Sequence, residues 1–327
     1  MHVAAAMEAD DDASAYLEAA GFDFEPPPDY EAPEPSTAAL RELLDIVHER
    51  QKSAVAAPTG AAQSSTEFAD DALLRVYADA PCTTLLVAFA ALGGGDAGVS
   101  RHEFVGACKR AGAQHALFVK DARTLWYHFG LSGSGSFDDV VAAVAAEIAR
   151  LRPTRIITIG ASMGGYAAIR AGIALRAERV IAFAPQVFVD PATRSALGLS
   201  AMPFDGALRA CRDACEREGR PMVSAADALM VEAGGAATTI EVHVGTRATG
   251  DLCEALLLRE AALRHAASGR PIATVKVERW RKLGHLLTAE LRDRGELDAM
   301  LTRIVQRERG EGEGEHLWQA GGEGSER

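Results

Sequence analysis

The chain has 327 residues, 48% of them hydrophobic and 24% charged, which suits one large or two small globular domains and excludes a fibrous or wholly disordered protein. Its net charge of −12 is uneven, with ten acidic and no basic residues in 1–35, five Glu against one Arg in 310–327, and a nearly neutral middle. That balance gives no basic face for nucleic acid, and the sequence has neither a membrane-spanning apolar run nor a basic-then-apolar leader, so a cytoplasmic protein is expected.

Residues 1–65 read as an acidic, Pro-rich arm, too poor in apolar side chains to order itself, with one short amphipathic helix inside it. That helix has Leu40, Leu43, Leu44 and Val47 at helical spacing behind Ser36 as a cap. It either docks on the protein's own body or offers a docking motif to a protein partner. Residues 53–65 are an Ala/Ser/Gly linker, and 310–327 form a Gly/Glu-rich tail expected to be disordered.

Between 66 and 309 short apolar runs alternate with helical stretches. The runs are Thr84–Ala90, His115–Val119, Arg155–Gly160, Arg179–Ala184, Thr239–Val244 and Thr274–Glu278, with Leu73–Tyr77 as a further candidate. Most are continuous in Val, Ile, Leu, Ala and Phe, as in strands covered on both faces. Helices are predicted over Arg101–Ala111, Phe137–Arg150, Met163–Arg176, Asp251–Ala267 and Ala289–Arg307. The alternation predicts an α/β domain: a mostly parallel sheet flanked by helices. The stretch 187–237 exceeds a simple crossover, and with helices around Gly206–Glu218 and Ser224–Glu232 it reads as a short helical lid. The five cysteines, Cys82, Cys108, Cys211, Cys215 and Cys253, form no CxxC pair and read as reduced thiols rather than metal ligands.

The chemistry concentrates where the apolar run ending at Gly160 passes into Ala161-Ser162-Met163-Gly164-Gly165. A serine between a strand and a helix, with Gly two residues before and after it, is the pattern of a nucleophile elbow. The turn is so sharp that a β-carbon at either glycine would crowd its neighbours. The alternative is a glycine-rich turn kept for packing. A serine nucleophile needs a base and an acid that orients it, and the base is expected last in chain order. His285, in Leu283-Gly284-His285 between the last strand and the last helix, fits, unless it only caps that helix. Asp251 is the carboxylate of the loop Gly245–Asp251, as orienting acid, as helix N-cap or as both; Glu254 and Asp190 are the other acids available. The backbone amide of Met163 would donate to an oxyanion, with a second donor near Ala91 or Leu92, ahead of Gly93-Gly94-Gly95. Asp121, Trp126 and Tyr127, after the strand His115–Val119, either line a substrate pocket or are packing and turn residues.

Two blocks carry a resemblance: 160–168 (GASMGGYAA) continuing into 180–188 (VIAFAPQVF), and Phe118-Val119-Lys120-Asp121 with 126–131 (WYHFGL). Together with Asp251, His285 and 291–297 (LRDRGEL), they resemble a group of mostly bacterial α/β-hydrolase-like proteins, many of them found with glycan or surface-polymer genes. The resemblance spans about residues 84–305 and implies the α/β-hydrolase fold. The implied function is a serine hydrolase cleaving a small-molecule or glycan-linked carboxylic ester or thioester through Ser162, His285 and Asp251, with no metal or organic cofactor. The alternatives are an acyltransferase on the same triad, with an acceptor alcohol such as a glycan, and a non-catalytic scaffold that uses the fold for binding.

Overall fold

In the computed structural model the described residues are 35–54, 72–92, 102–131, 133, 135–199, 204–231, 238–267 and 273–306. The acidic arm before residue 35, most of the linker, the Gly93–Gly95 run and the tail from 310 lie outside them.

A sheet of seven strands forms the centre: β1 (Leu73–Tyr77), β2 (Thr84–Phe89), β3 (His115–Val119), β4 (Arg155–Ala161), β5 (Arg179–Phe183), β6 (Thr238–Gly245) and β7 (Ala273–Trp280). Their order is β1-β3-β2-β4-β5-β6-β7, all neighbours parallel except the antiparallel pair of β1 and β3. The candidate strand Leu73–Tyr77 is thus the outermost strand on one side. Every residue of β2 and β3 is buried, which is why these runs lack polar alternation.

Helices cover both faces: α1 (Thr37–Ala54), α2 (Val105–Arg110), α3 (Phe137–Leu151), α4 (Met163–Ala174), α5 (Pro191–Ala196), α6 (Asp205–Arg217), α7 (Ala225–Val231), α8 (Thr249–Ala267), α9 (Leu287–Asp293) and α10 (Glu296–Gln306). One core layer joins α1, α3, α4, α8 and the 187–231 segment to one face of the sheet. The other joins α2, α9 and α10 to the opposite face. β4 serves both: Ile157 and Ile159 belong to the second layer, while buried Thr158 donates its hydroxyl to the Ala168 carbonyl of α4 at 2.8 Å.

Two expectations are corrected. The helix predicted over Ala289–Arg307 is two helices, because Gly295 between α9 and α10 has a left-handed backbone (φ 70°). The helix predicted from Arg101 begins only at Val105, preceded by Phe104 at φ 64°. The amphipathic helix α1 docks on the protein's own body. Ser36 Oγ accepts the Ala39 N–H at 3.1 Å, Leu40 and Leu44 enter the core, and Arg41–Glu260 (2.8 Å) and Arg264–Asp45 (2.6 Å) tie α1 to α8. The face carrying Leu40 and Leu44 is therefore already covered by the body. No helix among the described residues is long and apolar enough to cross a membrane.

Candidate active site

Strand order decides where a site can form. The chain leaves β2 outward to β3, then crosses back to β4, so the crevice at the carboxyl ends of β2 and β4 is the topological switch point of the sheet. Ser162 sits there, between the last residue of β4 and the first of α4. Its backbone is at φ 52°, ψ −118°, a region that residues with a β-carbon rarely occupy. A β-carbon on Gly160 would lie 2.2 Å from the Gly164 carbonyl oxygen, and one on Gly164 would lie 2.1 Å from that of Phe89. Both clashes are with backbone, so the elbow closes only with glycine at these two positions. The same contact brings Phe89 at the end of β2, and Ala90 after it, against the start of α4. Met163 opens α4, where a first-turn N–H has no acceptor within its own helix.

The other two residues come from the far side of the switch point. β6 and β7 pair in register up to Gly245 and Trp280, and the loops that follow are laced together. Thr246 N–H donates to the Trp280 carbonyl (3.0 Å), Arg247 N–H to the Leu283 carbonyl (3.0 Å), and Lys282 N–H to Thr246 Oγ1 (3.0 Å). Gly245 lies so close to the second loop that a β-carbon there would stand 2.1 Å from the Leu283 oxygen. This lacing brings His285 Nδ1 to 2.7 Å from Asp251 Oδ2. The Asp251 side chain is 2% exposed and that of His285 18%. Burial by itself would lower the His285 pKa, but the charge and hydrogen bond of Asp251 outweigh it and hold the imidazole above its ordinary value. Asp251 lies in the first turn of α8, inside the helix and not at its cap. The left-handed residue of the loop before His285 is Lys282 (φ 61°).

A strained serine elbow after β4, an acid after β6 and a histidine after β7, on a sheet whose only antiparallel pair among the described residues is at its β1 edge, settle the fold. It is that of the α/β-hydrolases.

No protein-family model matches the chain, and no curated protein matches it. Among solved structures, the chain is similar to the capsule O-acetyltransferase of Neisseria meningitidis serogroup A, at 14% identity over 72% of this chain and 90% of that one, with a TM-score of 0.48. It is similar to the esterase EstE5 at 18% identity (90% and 97% covered, TM-score 0.44) and to MenH from S. aureus at 14% (73% and 99%, TM-score 0.43). These likenesses are too distant to say anything of reaction or substrate, and the fold stands on its own strand order and elbow.

The remaining candidate residues of this α/β-hydrolase fold separate by environment. Asp121 and Tyr127 are both fully buried, and their polar atoms are taken by backbone. The Asp121 carboxylate accepts the N–H groups of Arg123 (3.0 Å), Leu125 (2.7 Å) and Tyr127 (2.8 Å), while the Tyr127 hydroxyl donates to the Ala90 carbonyl at 2.9 Å. Trp126 is likewise buried, and its indole N–H donates to Gln186 Oε1 at 2.8 Å. Gln186 Nε2 in turn donates to Ser162 Oγ at 2.8 Å. Gln186 is the residue at this candidate site that the sequence did not single out. It stands in a loop after β5, with no charge or periodicity to mark it. Of the other two acids, Asp190 caps α5 by accepting the Thr193 N–H at 2.7 Å, and Glu254 is paired with Arg194 at 2.6 Å. Phe204, just before α6, lies against His285: their ring centroids are 6.1 Å apart.

Proposed function

We propose that the chain is a serine hydrolase acting on a carboxylic ester or thioester. The observations that carry this reading are the strained serine elbow after β4 and, from the loops after β6 and β7, the 2.7 Å bond between Asp251 and His285 Nδ1. With Nδ1 engaged, Nε2 is the nitrogen that takes the proton of Ser162 as Oγ attacks the acyl carbonyl. The amide of Met163, with a second donor from the Ala91–Leu92 segment, holds the developing oxyanion. His285 then passes its proton to the leaving alcohol or thiol, and the acyl group stays on Ser162. Water, deprotonated by the same imidazole, releases the carboxylic acid and restores the serine. No step draws on a metal or an organic cofactor. A panel of p-nitrophenyl esters and acyl thioesters tests the reading, each assayed with and without sugar alcohols as acceptors. Release of free acid supports hydrolysis; acyl product only with an acceptor assigns the same triad to transfer; no turnover of any donor by folded protein contradicts the reading.

The charge of Asp251 sets a pH dependence. Acylation needs neutral His285, whose pKa is raised, so the rate is expected to climb with pH through a midpoint above the ordinary imidazole value of about 6.5. Asp251→Asn removes the largest contributions that raise the pKa and leaves only Glu254 to oppose burial and Arg194, so that midpoint is expected to move down while the plateau falls. The pH profile of p-nitrophenyl acetate hydrolysis checks both shifts.

Gly245→Ala is expected to slow turnover by about a hundredfold, the scale of a 1 Å misplacement of reacting groups. Its β-carbon must push the Leu283 backbone, and with it the His285 loop, away from β6. Comparing kcat with the thermal midpoint checks this, since activity is expected to fall much further than stability.

A further inference from the structure

The bond between Gln186 and Ser162 has a direction that chemistry fixes. An indole nitrogen can only donate, so the Gln186 oxygen must face Trp126 and its nitrogen must face Ser162. The amide nitrogen in turn can only donate, so Ser162 Oγ is the acceptor of that bond. A hydroxyl has one proton and two acceptor sites. With one acceptor site committed to Gln186, the serine proton points away from the amide.

The group that imposes this order is held firmly. Gln186 is 1% exposed and Trp126 is fully buried. Thr124, Trp126 and Tyr127 all have left-handed backbones (φ 52°, 51° and 59°), an unfavourable conformation for residues with a β-carbon. The Asp121 carboxylate sustains it by accepting the three N–H groups of Arg123, Leu125 and Tyr127. Strain of this kind persists only where surrounding structure over-determines it, and here it aims the indole at the amide beside the nucleophile.

We propose that Gln186 is a positioning residue, locked in orientation by Trp126, that fixes the Ser162 hydroxyl as an acceptor on one side so that its proton is presented to His285. The proposal rests on the serine-nucleophile reading. The test is the rate constant for fluorophosphonate modification of Ser162, followed across pH in the wild type and in Gln186→Leu, Gln186→Glu and Trp126→Phe, with thermal midpoints alongside.

Gln186→Leu is expected to slow labelling by about tenfold or more at the pH plateau, within the range of a lost proton-transfer arrangement, without moving the midpoint. Gln186→Glu keeps the shape and still accepts the indole N–H, but it turns the serine's donor into an anionic acceptor. It is expected to be at least as slow and to move the midpoint upward, because an added carboxylate favours protonated His285. Trp126→Phe frees the amide to flip and is expected to fall between wild type and Gln186→Leu. A merely structural role would lower the fraction of protein labelled and leave the rate constant of the folded fraction and its midpoint alone. Gln186→Glu or Gln186→Leu reacting at the wild-type rate overturns the proposal and leaves the serine reading intact. A wild-type protein that does not react overturns both.

Discussion

Ser162→Ala and His285→Ala are each expected to lower ester turnover by up to about a millionfold, and the double variant to lose no more than either alone. The residues act as one unit: a hydroxyl without its base is a poor nucleophile, and a base without the hydroxyl has no proton to move. Whatever rate remains over background would come from binding and from donors such as the Met163 amide, which neither change touches. Steady-state kinetics of the two single variants and the double variant on one p-nitrophenyl ester check this. Additive losses in the double variant would mean that Ser162 and His285 work separately.

The second large effect concerns stability. Arg194→Met is expected to cost about 3–5 kcal/mol, which in a domain of this size lowers the melting temperature by on the order of 10 °C. Arg194 and Glu254 are a buried pair, both side chains 2% exposed, at 2.6 Å. Arg194 also donates to the carbonyls of Phe188 (2.9 Å) and Leu199 (2.8 Å), and Glu254 accepts the N–H groups of Val187 (2.6 Å) and Phe188 (2.9 Å). The pair therefore roots the segment after β5 on α8, one turn from Asp251. Losing the guanidinium leaves a buried carboxylate with two amides and no counter-charge. Arg194→Met with Glu254→Leu is expected to recover part of the loss, because no lone charge stays buried, though the two amides lose their acceptor.

Burial raises the Glu254 pKa and Arg194 opposes it, so removing Arg194 raises it further. A carboxyl whose folded pKa lies above its unfolded value adds stability that is present at low pH and lost as pH rises through the folded value. The deficit of Arg194→Met should accordingly shrink as pH falls. Urea unfolding at two pH values measures it.

The contrast between these residues shows what a sequence can reveal. Strands buried on both faces read as continuous apolar runs, so β2 to β5 were legible to within a residue at each end. The elbow was legible because its two glycines sit where a β-carbon would meet backbone, a constraint written into five consecutive residues. Asp251 and His285 followed from chain order and from the loops that end β6 and β7. The contacts of Gln186, Trp126 and Arg194 were not foreseen because each meets a partner 60 residues away and nothing local marks the pairing. Asp121 left a local signal that went unused: an Asp at the start of a loop can collect the N–H groups of the following residues. Its closeness to two aromatics suggested a pocket as readily as a turn. The break between α9 and α10 was visible as Gly295 inside an otherwise helical run, but glycine there is decisive only once its backbone is known to be left-handed.

The most direct test of the account is to treat the purified protein with a small fluorophosphonate and locate the modified peptide by mass spectrometry. The account predicts a single adduct on Ser162 that disappears in His285→Ala. A folded protein that carries no adduct on Ser162, or carries it equally with and without His285, would contradict it.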